Sequence, residues 1–182
     1  MATTKWALDP THSEIQFKVK HLMISTVTGS FKQFEGYVET HGEDLTTAKV
    51  YFTADVNSIF TNNEQRDAHL LANDFFDAES HPKLIFESEK LEKIDDDSYK
   101  LFGTLTIKGN SKSVVLDVDF GGIVQDPWGN SRAGFSVKGK INRKDFGVSF
   151  SMVSETGGLL LGEEVKLQAE VQFVKETQAQ LV

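Results

Sequence analysis

Residues 101–120 read L-F-G-T-L-T-I-K-G-N-S-K-S-V-V-L-D-V-D-F. Successive side chains on a β-strand point to opposite faces, so Leu101, Gly103, Leu105 and Ile107 share one side and Phe102, Thr104, Thr106 and Lys108 the other. Gly109-Asn110 marks a turn, and the chain returns with Val114, Leu116, Val118 and Phe120 opposite Val115, Asp117 and Asp119. The stretch is an antiparallel hairpin with one apolar face, and it points to an all-β fold.

The same alternation extends in both directions. It is clear over residues 15–19, 50–57, 135–141 and 165–173, and weaker over 28–40, 84–88 and 146–152, which predicts roughly eight or nine strands. Residues 62–73, N-N-E-Q-R-D-A-H-L-L-A-N, depart from it. A capping Asn, an early acidic residue and good helix formers predict a short helix with Leu70 and Leu71 toward the core. A second turn of helix or 3₁₀ structure is expected around residues 21–26. Glycines within or beside the strands favour a closed barrel over a flat sandwich, because bends and bulges curve a sheet. With no internal repeat and no linker, one domain is expected over residues 1–182.

Composition narrows the function classes. The chain has no Cys, so thiol nucleophiles, disulfides and thiolate metal sites are excluded. A formal charge of −8 without a basic cluster in sequence argues against a nucleic-acid partner. No apolar run is long enough to cross a bilayer, and stable membrane insertion is not expected. The sequence reads as a cytoplasmic protein, or a periplasmic one if a signal peptide was removed. Phe stands out at 14 residues, against two Trp and three Tyr.

An eight-stranded barrel is just wide enough to be filled by side chains or to hold one small ligand. Inward positions mix Phe17, Phe52, Phe86, Phe120 and Phe135 with Gly103, Gly139, Ala54 and Ala169. That mixture fits a filled core and an open apolar lumen equally well. An open lumen would take an apolar chain, since each buried CH₂ contributes roughly 0.8 kcal/mol against about 1 kcal/mol for a neutral hydrogen bond.

Polar motifs give little chemistry. Asp9, His12 and Ser13 invite a triad, but neighbours in an extended segment point to opposite sides. The five His show no metal-ligand spacing, and no metal is expected. Asp95, Asp96 and Asp97 read as a solvated turn. The G-G-L-L-L-G run at residues 157–162 reads as an apolar loop, a possible lip at a barrel mouth. Arg66, Asp67 and His69 either pair with one another and with strand-end carboxylates or meet a ligand head group, and Phe75 and Phe76 either plug a barrel end or line a portal.

Taken together, W-x-L-D-P-T-H-S-x-I-x-F-x-V-K-H-L-M from Trp6 to Met23, G-x-F from Gly29 to Phe31, R-D-x-H-L followed by D-F-F-D from Arg66 to Asp77, F-x-S from Phe86 to Ser88, G-x-L-T-I-K-G from Gly103 to Gly109 and I-N-R-K-D-F-G from Ile141 to Gly147 resemble the YceI-like family of lipocalin-like lipid-binding proteins. Thr4 stands where a true lipocalin has Gly two residues before Trp6, so the likeness to lipocalins is architectural. The resemblance implies an eight-stranded antiparallel lipocalin-like barrel with a helix near its end. It also implies an apolar tunnel for a polyisoprenoid, a quinone tail or a fatty-acid-like amide, and frequent homodimers.

Alternation and resemblance together nominate Phe17, Val19, Phe31, Phe52, Phe86 and Leu101 as lipid-binding, along with Leu105, Leu116, Phe135 and Val171. Phe75 and Phe76 are placed near an end of the tunnel, and His21, Arg66 and His69 at its head-group portal. The expected role is binding, storage or transport of a long apolar lipid without covalent chemistry, and no cofactor beyond that lipid. Two rivals stand beside it: an enzyme acting on such a lipid through His12, His21 or His69, and a filled-barrel interaction module.

Overall fold

The computed structural model describes residues 2–22, 24–148 and 161–176. Its strands are β1 (Thr3–Leu8), β2 (Glu14–His21), β3 (Ser25–Phe31), β4 (Phe34–His41), β5 (Asp44–Asp55), β6 (Ile59–Phe60), β7 (Lys83–Lys93), β8 (Ser98–Ile107), β9 (Asn110–Gln125), β10 (Ser131–Asn142) and β11 (Leu161–Lys175). One helix, α1 (Glu64–Leu70), lies between β6 and β7.

Pairing reduces these to a closed eight-stranded antiparallel barrel. β1 and β2 form one bent strand: β1 pairs β11 from Trp6↔Lys175 to Leu8↔Phe173, and β2 pairs it from Glu14↔Glu170 to Val19↔Val165. The bend is a 3₁₀ turn at Pro10–His12, capped by the Asp9 side chain. β3 and β4 form a second bent strand, pairing β2 and β1 respectively, and β5 and β6 form a third against β4 and β3. β7 to β11 follow as successive antiparallel neighbours, and β11 closes on β1 and β2. Such closure removes the exposed edges an open sheet presents.

Several expectations need correction. The hairpin turn is Lys108-Gly109, one residue earlier than read, because both residues have positive φ (53° and 74°), as a two-residue type I′ connection requires. Asn110 already belongs to β9, and its amide donates to the Phe146 carbonyl at 2.8 Å. Helix α1 is shorter than 62–73. Asn62 has φ 62°, Asn63 caps the helix by accepting from the Arg66 N–H at 3.0 Å, and the Phe76 N–H returns to the Leu70 carbonyl at 3.1 Å. The turn expected at residues 21–26 is confined to the β2–β3 connection, where the Ile24 N–H donates to the His21 carbonyl at 3.2 Å and Ser25 already begins β3 opposite His21. Residues 28–40 form two strands rather than one. The weak strand at 146–152 is not seen over its described part, where Phe146 closes a 3₁₀ turn (Arg143–Phe146); its remainder, like most of the G-G-L-L-L-G run, lies outside the described residues.

The apolar face of every strand turns inward. Trp6, Leu8, Val38, Leu91, Tyr99 and Phe173 anchor one end of the core. Phe75, Ile107, Phe146 and Val148 close the other, where α1 contributes Leu70.

Candidate functional site

Between those two plugs lies a cavity of about 210 Å³. Leu101, Leu105 and Ile107 of β8 all line it, and six residues at a rise of about 3.4 Å each cover roughly 20 Å of strand, or about 15 Å along the axis of a barrel whose strands tilt by roughly 35–45°. β11 gives the same span, from Leu167 to Phe173. The volume is below the roughly 300–1,000 Å³ of pockets for drug-sized ligands. The space is therefore long and slender, suited to a chain rather than to a fused ring system.

No acidic or basic side chain lines it. Gln16, Gln168 and Tyr51 are the polar residues in its wall, and alternation turns their side chains outward: Gln16 lies opposite Gln168, and the Tyr51 ring stacks on Tyr37 at 5.6 Å.

The lumen remains open because its large residues lie along the wall. A methyl group at Gly29 would collide with the ring of Phe17, its cross-strand partner. At Gly103 it would lie 2.5 Å from Cζ of Phe86, and at Gly139 it would collide with Leu116. Each glycine is a recess that receives a bulky side chain from the next strand, the arrangement called aromatic rescue when the guest is a ring. The mixture of Phe and Gly read from the sequence thus lays these side chains flat and leaves the axis free.

Phe17, Phe31, Phe52, Phe86, Leu101, Leu105, Leu116, Phe135 and Val171 all line the cavity. Val19, Phe75 and Phe76 do not. Val19 is buried one inward position beyond Phe17, with Val27 and Val165 as cross-strand neighbours. Phe75 belongs to the end plug, and Phe76 packs edge-on against Phe31 with centroids 6.3 Å apart. Sequence nomination missed Leu8, Val38, Leu45, Ala48 and Leu91. The pattern of β1 was available in Trp6 and Leu8, whereas Leu91 follows a bulge near Ser88 that breaks the period of β7.

The portal residues are not gathered into one site. Arg66 donates to Thr61 through Nε to the hydroxyl at 2.7 Å and through its terminal nitrogen to the carbonyl at 2.5 Å, while Asp67 accepts from the Thr61 N–H and hydroxyl. Both thereby fasten β6 to the start of α1. His69 meets Asp74 at 2.9 Å and packs edge-on against Phe75. His21 ends β2, opposite Ser25 and Leu161. None of the three lines the cavity.

Asp9 and His12 do touch, at 2.8 Å, contrary to the extended reading, because the 3₁₀ turn folds residue 12 back over residue 9. Ser13 is not part of that pair; its hydroxyl accepts the Gln172 N–H at 3.0 Å. Arg132 bridges Asp9 and Asp126, at 2.8 Å to each, clipping the bend of β1–β2 to the β9–β10 turn. Partial burial works to raise the Asp9 pKa, but hydrogen bonds from Arg132, Thr11 and His12 outweigh it and hold the carboxyl far below its usual range. Arg132 likewise lowers Asp126 to about 2. This network is a structural clasp that faces away from the lumen.

Arg143 was not anticipated. It is buried and donates to the carbonyls of Gly162 (2.8 Å), Val148 (2.8 Å) and Leu161 (3.2 Å), tying the turn after β10 to the start of β11. Its position in a turn, outside any alternation, hid it from sequence reading. Among the described residues no cluster of His, Asp or Glu is arranged to hold a metal ion, and no helix is long and apolar enough to cross a membrane.

Comparison with known proteins agrees with this geometry. A family model described as the YceI-like domain matches residues 6–173. A UPF0312 protein of Staphylococcus epidermidis is 42% identical over 171 residues, covering 93% of this chain and 97% of its own. The crystal structure of a Campylobacter jejuni YceI protein superposes with a TM-score of 0.75 at 36% identity, covering 87% of this chain and 90% of that one. A polyisoprenoid-binding domain from Saccharophagus degradans shares the fold, with a TM-score of 0.65 at 13% identity over 94% of this chain and 98% of its own.

Proposed function

This chain belongs to the YceI-like domain family, and from that premise we propose that its barrel binds and carries a long, slender apolar lipid, such as a polyisoprenoid or an isoprenoid quinone tail, without covalent chemistry. The observation that carries the reading is the lumen itself: about 15 Å along the barrel axis, apolar in its lining surface, and lined by no acidic or basic side chain. Burial of methylenes at roughly 0.8 kcal/mol each then dominates affinity, and chain length counts for more than head group. The likeness in fold to a polyisoprenoid-binding domain supports this choice of ligand class.

Less supports an enzyme: among the described residues, His12 pairs with the partly buried Asp9 carboxylate and His69 with Asp74, and neither His lines the lumen. Native mass spectrometry of the purified protein, followed by organic extraction, tests the binding reading. The expected result is an extractable lipid or stoichiometric uptake of a fluorescent prenyl probe. A protein that is reproducibly empty and takes up neither prenyl nor acyl probes overturns it.

A further inference from the structure

Lysines gather on one outer flank of the barrel in a pattern that strand pairing alone disfavours. Lys140 stands directly opposite Lys166 across β10 and β11, and Lys166 directly opposite Lys18 across β11 and β2. Like charges in directly opposed positions destabilise a sheet. Lys138 and Lys20 flank this row on the same outward side, two residues before Lys140 on β10 and two residues after Lys18 on β2. All five are exposed except Lys18, which is partly so. Among the described residues, only Lys140 of the five forms an ion pair, a 3.8 Å contact with exposed Glu164. The chain as a whole carries a formal charge of −8, so this flank is a local reversal of sign.

A second feature adjoins it. β2 leads from Lys18 and Lys20 directly into the turn to β3, where Leu22 is 39% and Ile24 83% exposed. At the opposite end of the barrel, the β7–β8 turn carries exposed Asp95, Asp96 and Asp97. The basic flank and the apolar tip thus adjoin one another at one end of β2.

We infer that this flank docks the barrel on an anionic lipid surface. Lysines near such a leaflet are drawn to its negative potential, and an apolar tip enters the boundary between head groups and acyl chains. Leu22 and Ile24 fill the second role beside the lysines that fill the first, while the acidic β7–β8 turn lies at the far end of the barrel. A polynucleotide would use the lysines but leave the apolar tip without a partner. The docking is read from the outer surface and holds whatever the lumen contains.

Vesicle co-sedimentation of the full chain tests it. The protein is expected to bind phosphatidylcholine vesicles containing phosphatidylglycerol, to ignore pure phosphatidylcholine, and to release as salt rises and screens the attraction. Each lysine near the surface is worth roughly five-fold in affinity, so Lys18→Gln, Lys140→Gln and Lys166→Gln combined should weaken binding roughly hundred-fold. That variant should unfold no earlier than the parent, since neutralisation relieves cross-strand repulsion. Leu22→Ser with Ile24→Ser should also weaken binding, whereas Lys90→Gln with Lys100→Gln, near the acidic end, should leave it unchanged. Equal binding to both vesicle types, equal loss from the distal pair, or retention on RNA with no binding to vesicles would each overturn the assignment.

Discussion

Gly29→Ala distinguishes a lined tunnel from a filled core. The three atoms nearest the added methyl all belong to the ring of Phe17, and Gly29 is not among the residues with positive φ, so its backbone accepts alanine. The ring must turn, and the empty space beside it is the cavity of about 210 Å³ that it lines. Overpacking costs about 1–3 kcal/mol, and the lower entropy of the unfolded alanine chain returns about 0.4–1 kcal/mol. The net loss should be on the order of 1 kcal/mol, read as a small drop in the urea midpoint. A ring swung inward excludes on the order of three ligand methylenes, or about 2.4 kcal/mol at 0.8 kcal/mol each. Affinity for a fluorescent prenyl probe should therefore fall roughly fifty-fold. Adding Phe17→Leu should restore most of the loss, giving a coupling between the two sites in a double-mutant cycle. If Gly29→Ala binds as tightly as the parent while remaining folded, or if Phe17→Leu brings no recovery, the recess account of the open lumen is wrong.

At Gly103 the same substitution should be harsher, because the methyl would lie 2.5 Å from the Glu87 carbonyl oxygen, which cannot swing aside as a ring does; a loss above about 2 kcal/mol in urea unfolding is expected. Arg143→Ala removes a buried guanidinium that satisfies three carbonyls, and with hydrogen bonds to charged groups worth about 1.5–3 kcal/mol each it should cost at least about 3 kcal/mol. Asp9 and Asp126 have pKa values lowered in the folded state, so their contribution is complete above the ordinary carboxylate range and is lost as pH falls through the folded values. Thermal stability should decline between about pH 4 and pH 2, and Arg132→Ala should flatten that decline because both carboxylates lose their shared partner.

The strands between residues 101 and 141 were legible because each has one face in the core, so alternation survives along their length. The lumen-facing Phe residues were legible for the same reason. Whether they filled the space was not, since that depends on which strand neighbours which: Phe17 finds its recess at Gly29 only through the pairing of β2 with β3. Phe75 and Phe76 sit in turns after α1, where no period exists, and their roles as plug and wall packing are set by the barrel end they cover. Arg66 was placed at a portal on its charge, yet its hydrogen bonds go to Thr61, a residue with no distinguishing sequence signal. Each of these outcomes rests on long-range pairing or on turn geometry rather than on local pattern.

The central claim is that an apolar, chain-shaped lumen sets affinity. Titration with a series of prenyl alcohols of increasing length, read by displacement of a fluorescent probe, tests it most directly. Affinity should climb with each isoprene unit until the chain spans the roughly 15 Å lumen and then level off, with little change when the alcohol is replaced by a pyrophosphate. Affinity that is flat across the series, or set by the head group regardless of length, would contradict it.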